Sequence, residues 1–82
     1  MKDAHTLKLT HSSVLNKHGK PYVSVLFERG TDWADAGLPD GKVMKAKGFD
    51  DEEIRELEEY LRVHGQEIID EAKKISGFMK IF

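Results

Sequence analysis

Residues 49–64, FDDEEIRELEEYLRVH, decide the fold because they contain a complete helix start. Asp50 stands at the N-cap, where its carboxylate can accept hydrogen bonds from the unpaired backbone amides of the first turn. Glu53 can accept a hydrogen bond from the backbone amide of Asp50, which completes a capping box. Phe49 and Ile54 have the spacing of a hydrophobic staple, which fixes the direction of the chain before the helix. The pattern predicts a helix that begins directly after Asp50.

Apolar residues continue this helix toward the end of the sequence as one stripe. They recur at spacings of three, four and seven residues, as one helical face requires: Ile54, Leu57, Leu61, Ile68, Ala72 and Ile75. Gly65 lies within the stripe, so we expect either one long helix that is bent or loosened there, or two helices separated at that glycine. The stripe stays in phase across Gly65, which favours the single helix. We expect Gly77 to end it and to leave an apolar tail: Phe78, Met79, Ile81 and Phe82.

The sequence before the helix begins with a segment that alternates like a strand. Residues 6–15 place Leu7, Leu9 and Leu15 on one side, as a half-buried strand does. The alternation breaks at Val14, which indicates a bulge or a strand end at the two serines before it. The segment therefore predicts a first strand with an irregular end.

A second segment, YVSVLFER at residues 22–29, has the strongest β propensity in the sequence. Val23, Val25 and Phe27 form its inward set. The other side of this strand carries the remaining residues: Tyr22, Ser24, Leu26 and Glu28. The short turn at residues 16–19, with an asparagine and a glycine, predicts that the first two strands form an antiparallel hairpin.

Residues 30–41, GTDWADAGLPDG, are predicted to form a long loop because they are rich in glycine and aspartate and contain a proline. Trp33 lies within it. Residues 42–47, KVMKAK, predict a third strand that pairs with the second and has Met44 and Ala46 on one side, with a loose extended segment as the alternative. Its lysines are typical of an edge strand protected against pairing with other chains.

Together these elements predict the α+β class, with a two- to three-stranded antiparallel sheet in β-β-β order packed by a long or kinked C-terminal helix. We expect residues 1–82 to form a single α+β domain, since a chain of 82 residues can build one modest core.

Composition narrows the class of protein further. Charged residues at 34% and hydrophobic residues at 39% are typical of a globular chain. The sequence contains no cysteine, so a disulfide framework and a thiolate metal site are excluded. It has no apolar run long enough to span a bilayer and no signal-peptide pattern, so we expect no membrane association and a cytoplasmic location.

Charge is unevenly distributed along the sequence. Residues 1–30 contain five cations and two acids, a local charge of +3, whereas residues 50–72 contain ten acids and two arginines, a local charge of −8. This asymmetry either steers a charged partner or reflects an ordinary solvated helix face.

Residues that could carry catalysis or bind a metal lack the required spacing. The four histidines form no HxH, HxxxH or HExxH pattern. His11 and Ser12 are adjacent in a strand and therefore point to opposite faces, so they cannot act as base and nucleophile. The glycine-rich residues 30–41 contain no GxxxxGK[ST] phosphate loop. We expect no catalytic residue, no metal and no cofactor, and hence no enzyme activity.

The leading hypothesis is a non-catalytic module for protein–protein interaction or regulation, acting on an unknown protein partner or by self-association. The sequence contains more apolar and aromatic residues than one small core needs, and such residues are enriched at interfaces. The candidate contacts are Trp33, Tyr22, Leu26, Phe78, Met79, Ile81 and Phe82. Packing of Trp33 over the helix, and of the tail on its own domain, is the alternative role of these residues.

A weak nucleic-acid binder is the alternative function. The outward sheet face would present cations with one aromatic residue, and such faces can bind single strands: Lys8, Tyr22, Lys45 and Lys47. The acidic helix and the single aromatic residue on this face argue against it.

The runs GKPYVSVLFERG at residues 19–30 and GFDDEEIRELEEYLR at residues 48–62 resemble short hypothetical proteins of bacterial genomes, some of them on mobile elements. The resemblance implies a bacterial, cytoplasmic accessory protein, and it assigns no role to any residue.

Overall fold

A computed structural model describes the backbone of residues 6–81 and the side chains of residues 6–75. Five strands precede one helix, with bounds β1 Lys8–His11, β2 Leu15–Lys17, β3 Lys20–Arg29, β4 Asp32–Leu38, β5 Lys42–Lys47 and α1 Asp51–Ile81. All strand pairs are antiparallel, and the sheet order is β1-β3-β4-β5, with β2 also pairing with β3. No helix within residues 6–81 combines the length and the apolar character needed to cross a membrane. The α+β class is therefore confirmed, but the predicted number of strands was too small.

The first predicted strand is divided into β1 and β2 by a bulge. Three residues, numbers 12–14, lie opposite two residues of β3. Ser12 holds this bulge, since its amide donates to the carbonyl of Ser24 at 2.9 Å and its hydroxyl oxygen accepts from the Ser24 amide at 3.0 Å. The predicted irregularity is confirmed. Its extra residue reverses the alternation, so Val14 packs against the core and Leu15 is exposed, opposite to the expected inward position of Leu15.

The largest correction concerns residues 30–41, which form a strand where a loop was predicted. β4 pairs with β3 along its whole length, from Arg29–Asp32 to Val23–Leu38. The hairpin between them needs only Gly30 and Thr31, because Gly30 adopts a φ of 62°. The third predicted strand, β5, consequently pairs with β4 and not with β3.

The alternation of β5 also differs from the prediction, because its register with β4 shifts between Asp35 and Ala36. Met44 is the extra residue at this shift. Val43 and Ala46 therefore lie opposite core residues of β4, whereas Met44 is exposed. A bulge again decides which side chains face the helix.

The core lies between one sheet face and α1. Three short apolar sets meet there: Val23, Val25 and Phe27 from β3; Ala34, Ala36 and Leu38 from β4; and Leu57, Leu61, Ile68 and Ala72 from α1. The predicted inward set of β3 and most of the predicted helix stripe are confirmed. α1 continues through Gly77 to Ile81, so the predicted stop is wrong. A glycine ends a helix where it takes a left-handed conformation, and Gly77 keeps the helical one.

The predicted capping box is present and is tied to the sheet. The Glu53 amide donates to Asp50 Oδ1 at 2.9 Å, and the Asp50 amide donates to Glu53 Oε1 at 3.0 Å. Arg29 of β3 donates from Nη1 to Glu53 Oε2 at 2.8 Å and from Nη2 to Asp32 Oδ2 at 3.1 Å. The same guanidinium lies 4.4 Å above the ring centroid of Phe49. Arg29 thus joins the β3–β4 hairpin to the first turn of α1.

Gly65 sets how closely α1 approaches the sheet. It is buried, and a Cβ atom at this position would lie 3.1 Å from Leu38 Cδ2. The helix is continuous there, so the role of this glycine is close packing against β4 and not the separation of two helices.

We expect Gly65→Val to lower the free energy of unfolding by about 1–3 kcal/mol, because the branched side chain has to enter space that Leu38 fills. The control Arg55→Val lies at an exposed position of the same helix, and it should cost less than about 0.7 kcal/mol through helix propensity alone. Urea denaturation measures the free energy of unfolding of both variants. An equal loss of stability in Gly65→Val and Arg55→Val would contradict the close contact between Gly65 and Leu38.

Glu53 should make the stability of the fold depend on pH. The hydrogen bond from Arg29, followed by the one from the Asp50 amide, holds the pKa of Glu53 below its usual range. Because the pKa of Glu53 is lowered in the folded state, its carboxylate stabilises the fold at pH values above the ordinary glutamate pKa of about 4.3. This stabilisation is lost as the pH falls below that value. The urea midpoints of the wild type and Glu53→Gln should therefore differ more at pH 7 than at pH 2.5. A Glu52→Gln control should show a smaller difference at pH 7, and a pH-independent gap for Glu53→Gln would refute this role.

Candidate functional site: the open sheet face

The sheet face opposite α1 carries most of the sequence-predicted contact residues. Directly opposed residues of antiparallel strands point to the same side, so the register defines this face. One row runs across four strands as Lys8, Glu28, Trp33 and Lys47, and the next row runs as Thr10, Leu26, Asp35 and Lys45. We call these two rows, together with Ser24, Gly37 and Tyr22, the open sheet face. No helix or strand within residues 6–81 packs over it.

The centre of the open sheet face is apolar. Leu26 and Trp33 are diagonal neighbours on β3 and β4, and each is partly buried by the side chains around it. Diagonal pairs of this kind are within reach of an aromatic ring. The flanking positions hold longer charged or polar residues, so the two side chains form a small apolar centre inside a polar surround.

Tyr22 packs on β4 at one end of this face. A Cβ atom at Gly37 would lie 2.5 Å from Tyr22 Cε1, so the ring occupies the space that any other residue at position 37 would need. The Lys17 ammonium lies over the same ring, 4.7 Å from its centroid. The Tyr22 ring is therefore in contact with both β4 and a cation of β2.

The environment of Tyr22 also changes its acidity. Burial raises the pKa of the Tyr22 phenol, and the negative charges of Asp35 and Asp40 raise the pKa further. This direction agrees with a ring packed on the sheet near one carboxylate of β4 and another in the turn that follows it.

Lysine dominates the charge of this side of the sheet. Six lysines lie there by register, Lys8, Lys17, Lys20, Lys42, Lys45 and Lys47, against two acids, Glu28 and Asp35. None of the six forms an ion pair with another described residue. The acidic helix of residues 50–72 lies on the opposite side of the sheet, so the two sides have opposite charge.

The structure brings together residues that the sequence assigned to two different functions. Trp33, Tyr22 and Leu26, proposed to contact a protein, share one face with Lys8, Lys45 and Lys47, proposed to contact nucleic acid. Trp33 belongs to β4 and not to a loop, and it faces away from α1, so packing of Trp33 over the helix is ruled out. Phe78, Met79 and Ile81 lie in the α1 backbone rather than in a separate tail, and Phe82 lies outside the described residues.

Sequence reasoning missed Asp35, Gly37 and Lys17 as parts of this face. The signal for the first two is the alternation within WADAGL, where alanine and leucine alternate with tryptophan, aspartate and glycine. Lys17 carried no sequence signal, because its position over Tyr22 depends on the bulge that separates β2 from β1.

Polar clusters elsewhere are engaged in local structure. His11 Nδ1 lies 2.8 Å from the Ser12 carbonyl oxygen, and the Ser12 hydroxyl donates to the Ser13 carbonyl at 2.7 Å. His64 Nδ1 lies 2.9 Å from Glu67 Oε1 on the next turn of α1. Among residues 6–75, no group of three or more histidine, aspartate or glutamate side chains is arranged to hold a metal ion.

Phenol titration tests the position of Tyr22. The chain has two tyrosines, so the Tyr60→Phe variant reports on Tyr22 alone. We expect its titration midpoint, followed by ultraviolet absorbance, to exceed the ordinary tyrosine value of about 10. Adding Asp35→Asn should lower that midpoint, because a charge that raises it is removed. A midpoint at the ordinary value that does not respond to Asp35→Asn would contradict this packing.

No protein-family model, curated protein or solved structure matches this chain. The geometry and charge of the open sheet face are therefore the basis for assigning a function.

Proposed function

We propose that this protein is a non-catalytic interaction module that binds an acidic protein partner on its open sheet face. The observation that carries the proposal is the position of Trp33 and Leu26, diagonal neighbours on a sheet face that no described element covers, with lysines on the outer strands. An apolar aromatic centre within a polar surround is typical of protein interfaces, and tryptophan is enriched among the residues that dominate binding energy.

The surrounding lysines favour an acidic partner. Lys8, Lys45 and Lys47 are exposed and have no ion-pair partner among the described residues. Charges at the rim of an interface steer association and select the partner more than they add affinity. The acidic α1 on the other side of the sheet would repel the same partner and so favour one docking side.

Two features favour a protein over a nucleic acid. Asp35 lies in the middle of the face, opposite Leu26 and Lys45, where it would repel a phosphate backbone. The Tyr22 ring already contacts Lys17 and packs on Gly37, so a base that stacked on it would compete with these contacts. Trp33 is then the only aromatic residue of the open sheet face without such a contact among the described residues.

A single-stranded nucleic acid is the second candidate, and one observation favours it. Trp33 lies directly opposite Lys47, so an aromatic ring stands beside a cation, and Lys8 lies at the other end of the same sheet row, beyond Glu28. Lysines beside a stacking aromatic residue are the usual elements of single-strand binding.

The expected setting is that of a bacterial accessory or regulatory protein in the cytoplasm. This part of the proposal rests on the resemblance of residues 19–30 and 48–62 to short bacterial proteins and on the absence of cysteine from the sequence.

Affinity capture from the native host tests the leading proposal. Trp33→Ala and Lys47→Glu should each reduce recovery of a specific partner at least about tenfold, a loss of about 1.4 kcal/mol in binding. Val63→Ala and Arg55→Glu are matched controls at exposed positions of α1, on the other side of the sheet, and they should leave recovery unchanged. Circular dichroism checks that all four variants are folded. Equal recovery by all four, or recovery that disappears after nuclease treatment, would overturn the protein assignment.

Titration with a fluorescent oligothymidylate distinguishes the nucleic-acid candidate from the protein-binding proposal. Under the leading proposal, any binding at 20 mM salt is lost by 200 mM salt and does not depend on Trp33. If nucleic acid is the ligand, Trp33→Ala should weaken binding about 5- to 150-fold, because one stacked base is worth about 1–3 kcal/mol. The logarithm of affinity should then fall with the logarithm of salt concentration at about 0.7 per phosphate contact.

A further inference from the structure

A second surface is uncovered beside α1, on the inner face of the sheet. A helix is about 10 Å wide, whereas a sheet four strands wide spans about 19 Å, so one helix cannot cover it. α1 lies over the β4–β5 side, where Gly65 packs on Leu38 and the Val43 amide donates to Glu58 Oε2 at 2.9 Å. The β1 side remains open beside it.

The result is a groove between β1 and α1. It encloses about 310 Å³ and is lined almost entirely by apolar side chains: Leu7, Leu9, Phe27, Glu56, Leu57 and Tyr60. Leu7 is 46% exposed and Tyr60 is 45% exposed, although the edge of the Tyr60 ring packs against Phe27 with centroids 6.3 Å apart. We name this surface the β1–α1 groove.

The C-terminal end of α1 has an apolar sequence. Among the helix residues whose side chains the structure describes, Ala72 is the last that is buried, and Ile75 is 44% exposed. The helix nevertheless continues to Ile81, and the sequence from residue 75 onward, ISGFMKIF, is mostly apolar. At 1.5 Å per residue the 31-residue α1 is about 46 Å long, whereas the ten-residue β3 spans about 33 Å.

This end cannot fill the groove of its own chain. About twenty residues of continuous helix separate Leu57 from Gly77, which places them about 30 Å apart along a rigid axis. A second copy has no such restriction. Two chains related by a two-fold axis would each offer a helix end and a groove, as a closed symmetric interface requires.

Charge favours an antiparallel arrangement of the two helices. Glu56 is exposed and lines the groove, whereas Lys73 is exposed near the other end of α1 and forms no ion pair with another described residue. Antiparallel helices bring Lys73 of each copy toward Glu56 of the other. Parallel helices would place like charges together.

We propose that the C-terminal end of α1 from a second copy occupies the β1–α1 groove, and that the protein is a symmetric dimer with antiparallel α1 helices. This surface lies on the opposite side of the sheet from the open sheet face. The dimer is therefore independent of the proposed partner site and leaves that site accessible.

Light scattering of the full 82-residue chain tests the proposal. At about 100 μM we expect about twice the chain mass of 9.3 kDa. Leu7→Glu and Tyr60→Glu should each shift the mass to that of a monomer, because each places a charge in the groove. Met44→Glu is the matched control, since Met44 is 51% exposed on β5 at the other sheet edge. A monomeric wild type, or a dimer that withstands Leu7→Glu, would overturn the proposal.

A charge exchange tests the antiparallel arrangement. Lys73→Glu should weaken dimerisation, and so should Glu56→Lys. Combining the two substitutions should restore the dimer, since opposite charges again face each other between the two copies. Thermal melting by circular dichroism establishes that each variant is folded. A folded double variant that stays monomeric would refute the antiparallel arrangement.

Discussion

One helix is narrower than the sheet on which it packs, and the rest of this structure depends on that constraint. α1 is the only helix among residues 6–81, and it can cover one side of one sheet face. Gly65 determines which side, because its missing side chain lets the helix lie close to Leu38 on β4. Arg29 fixes the start of the helix at the same hairpin through Glu53 and Asp32. Both uncovered surfaces, the open sheet face and the β1–α1 groove, follow from this placement.

The two surfaces differ in character, and this difference assigns them different partners. The open sheet face combines Trp33 and Leu26 with lysines that lack ion-pair partners among the described residues, which suits an acidic macromolecule. The β1–α1 groove is almost entirely apolar, which suits an apolar helix segment. Under the two proposals, the lysines of the first surface select and steer its partner, and burial of apolar area stabilises the association at the second. The two proposals are compatible, because the surfaces lie on opposite sides of the sheet.

Features encoded by neighbouring residues could be predicted from the sequence, whereas features set by strand register could not. The capping box of Asp50 and Glu53 is local, and its prediction was correct. β4 was missed because alanine, aspartate and glycine have low strand propensity, and tertiary pairing with β3 overrides that propensity. The bulges before Val14 and at Met44 reverse side-chain alternation, so the facing of Leu15 and of β5 was predicted wrongly. The sequence indicates Trp33 as a candidate contact residue, but the sheet face on which Trp33 lies follows only from the pairing of β4 with β3 and β5.

Amide hydrogen exchange measured by NMR tests the central claim most directly, because the open sheet face exists only if residues 32–38 form a strand between two others. An inner strand has its amides bonded within the sheet, whereas a surface loop exposes them to water. The structure predicts that the amides of Ala34, Asp35 and Ala36 exchange as slowly as those of Val23 and Val25 in β3. Exchange of all three within the dead time of the measurement, with slow exchange retained in β3, would contradict the account.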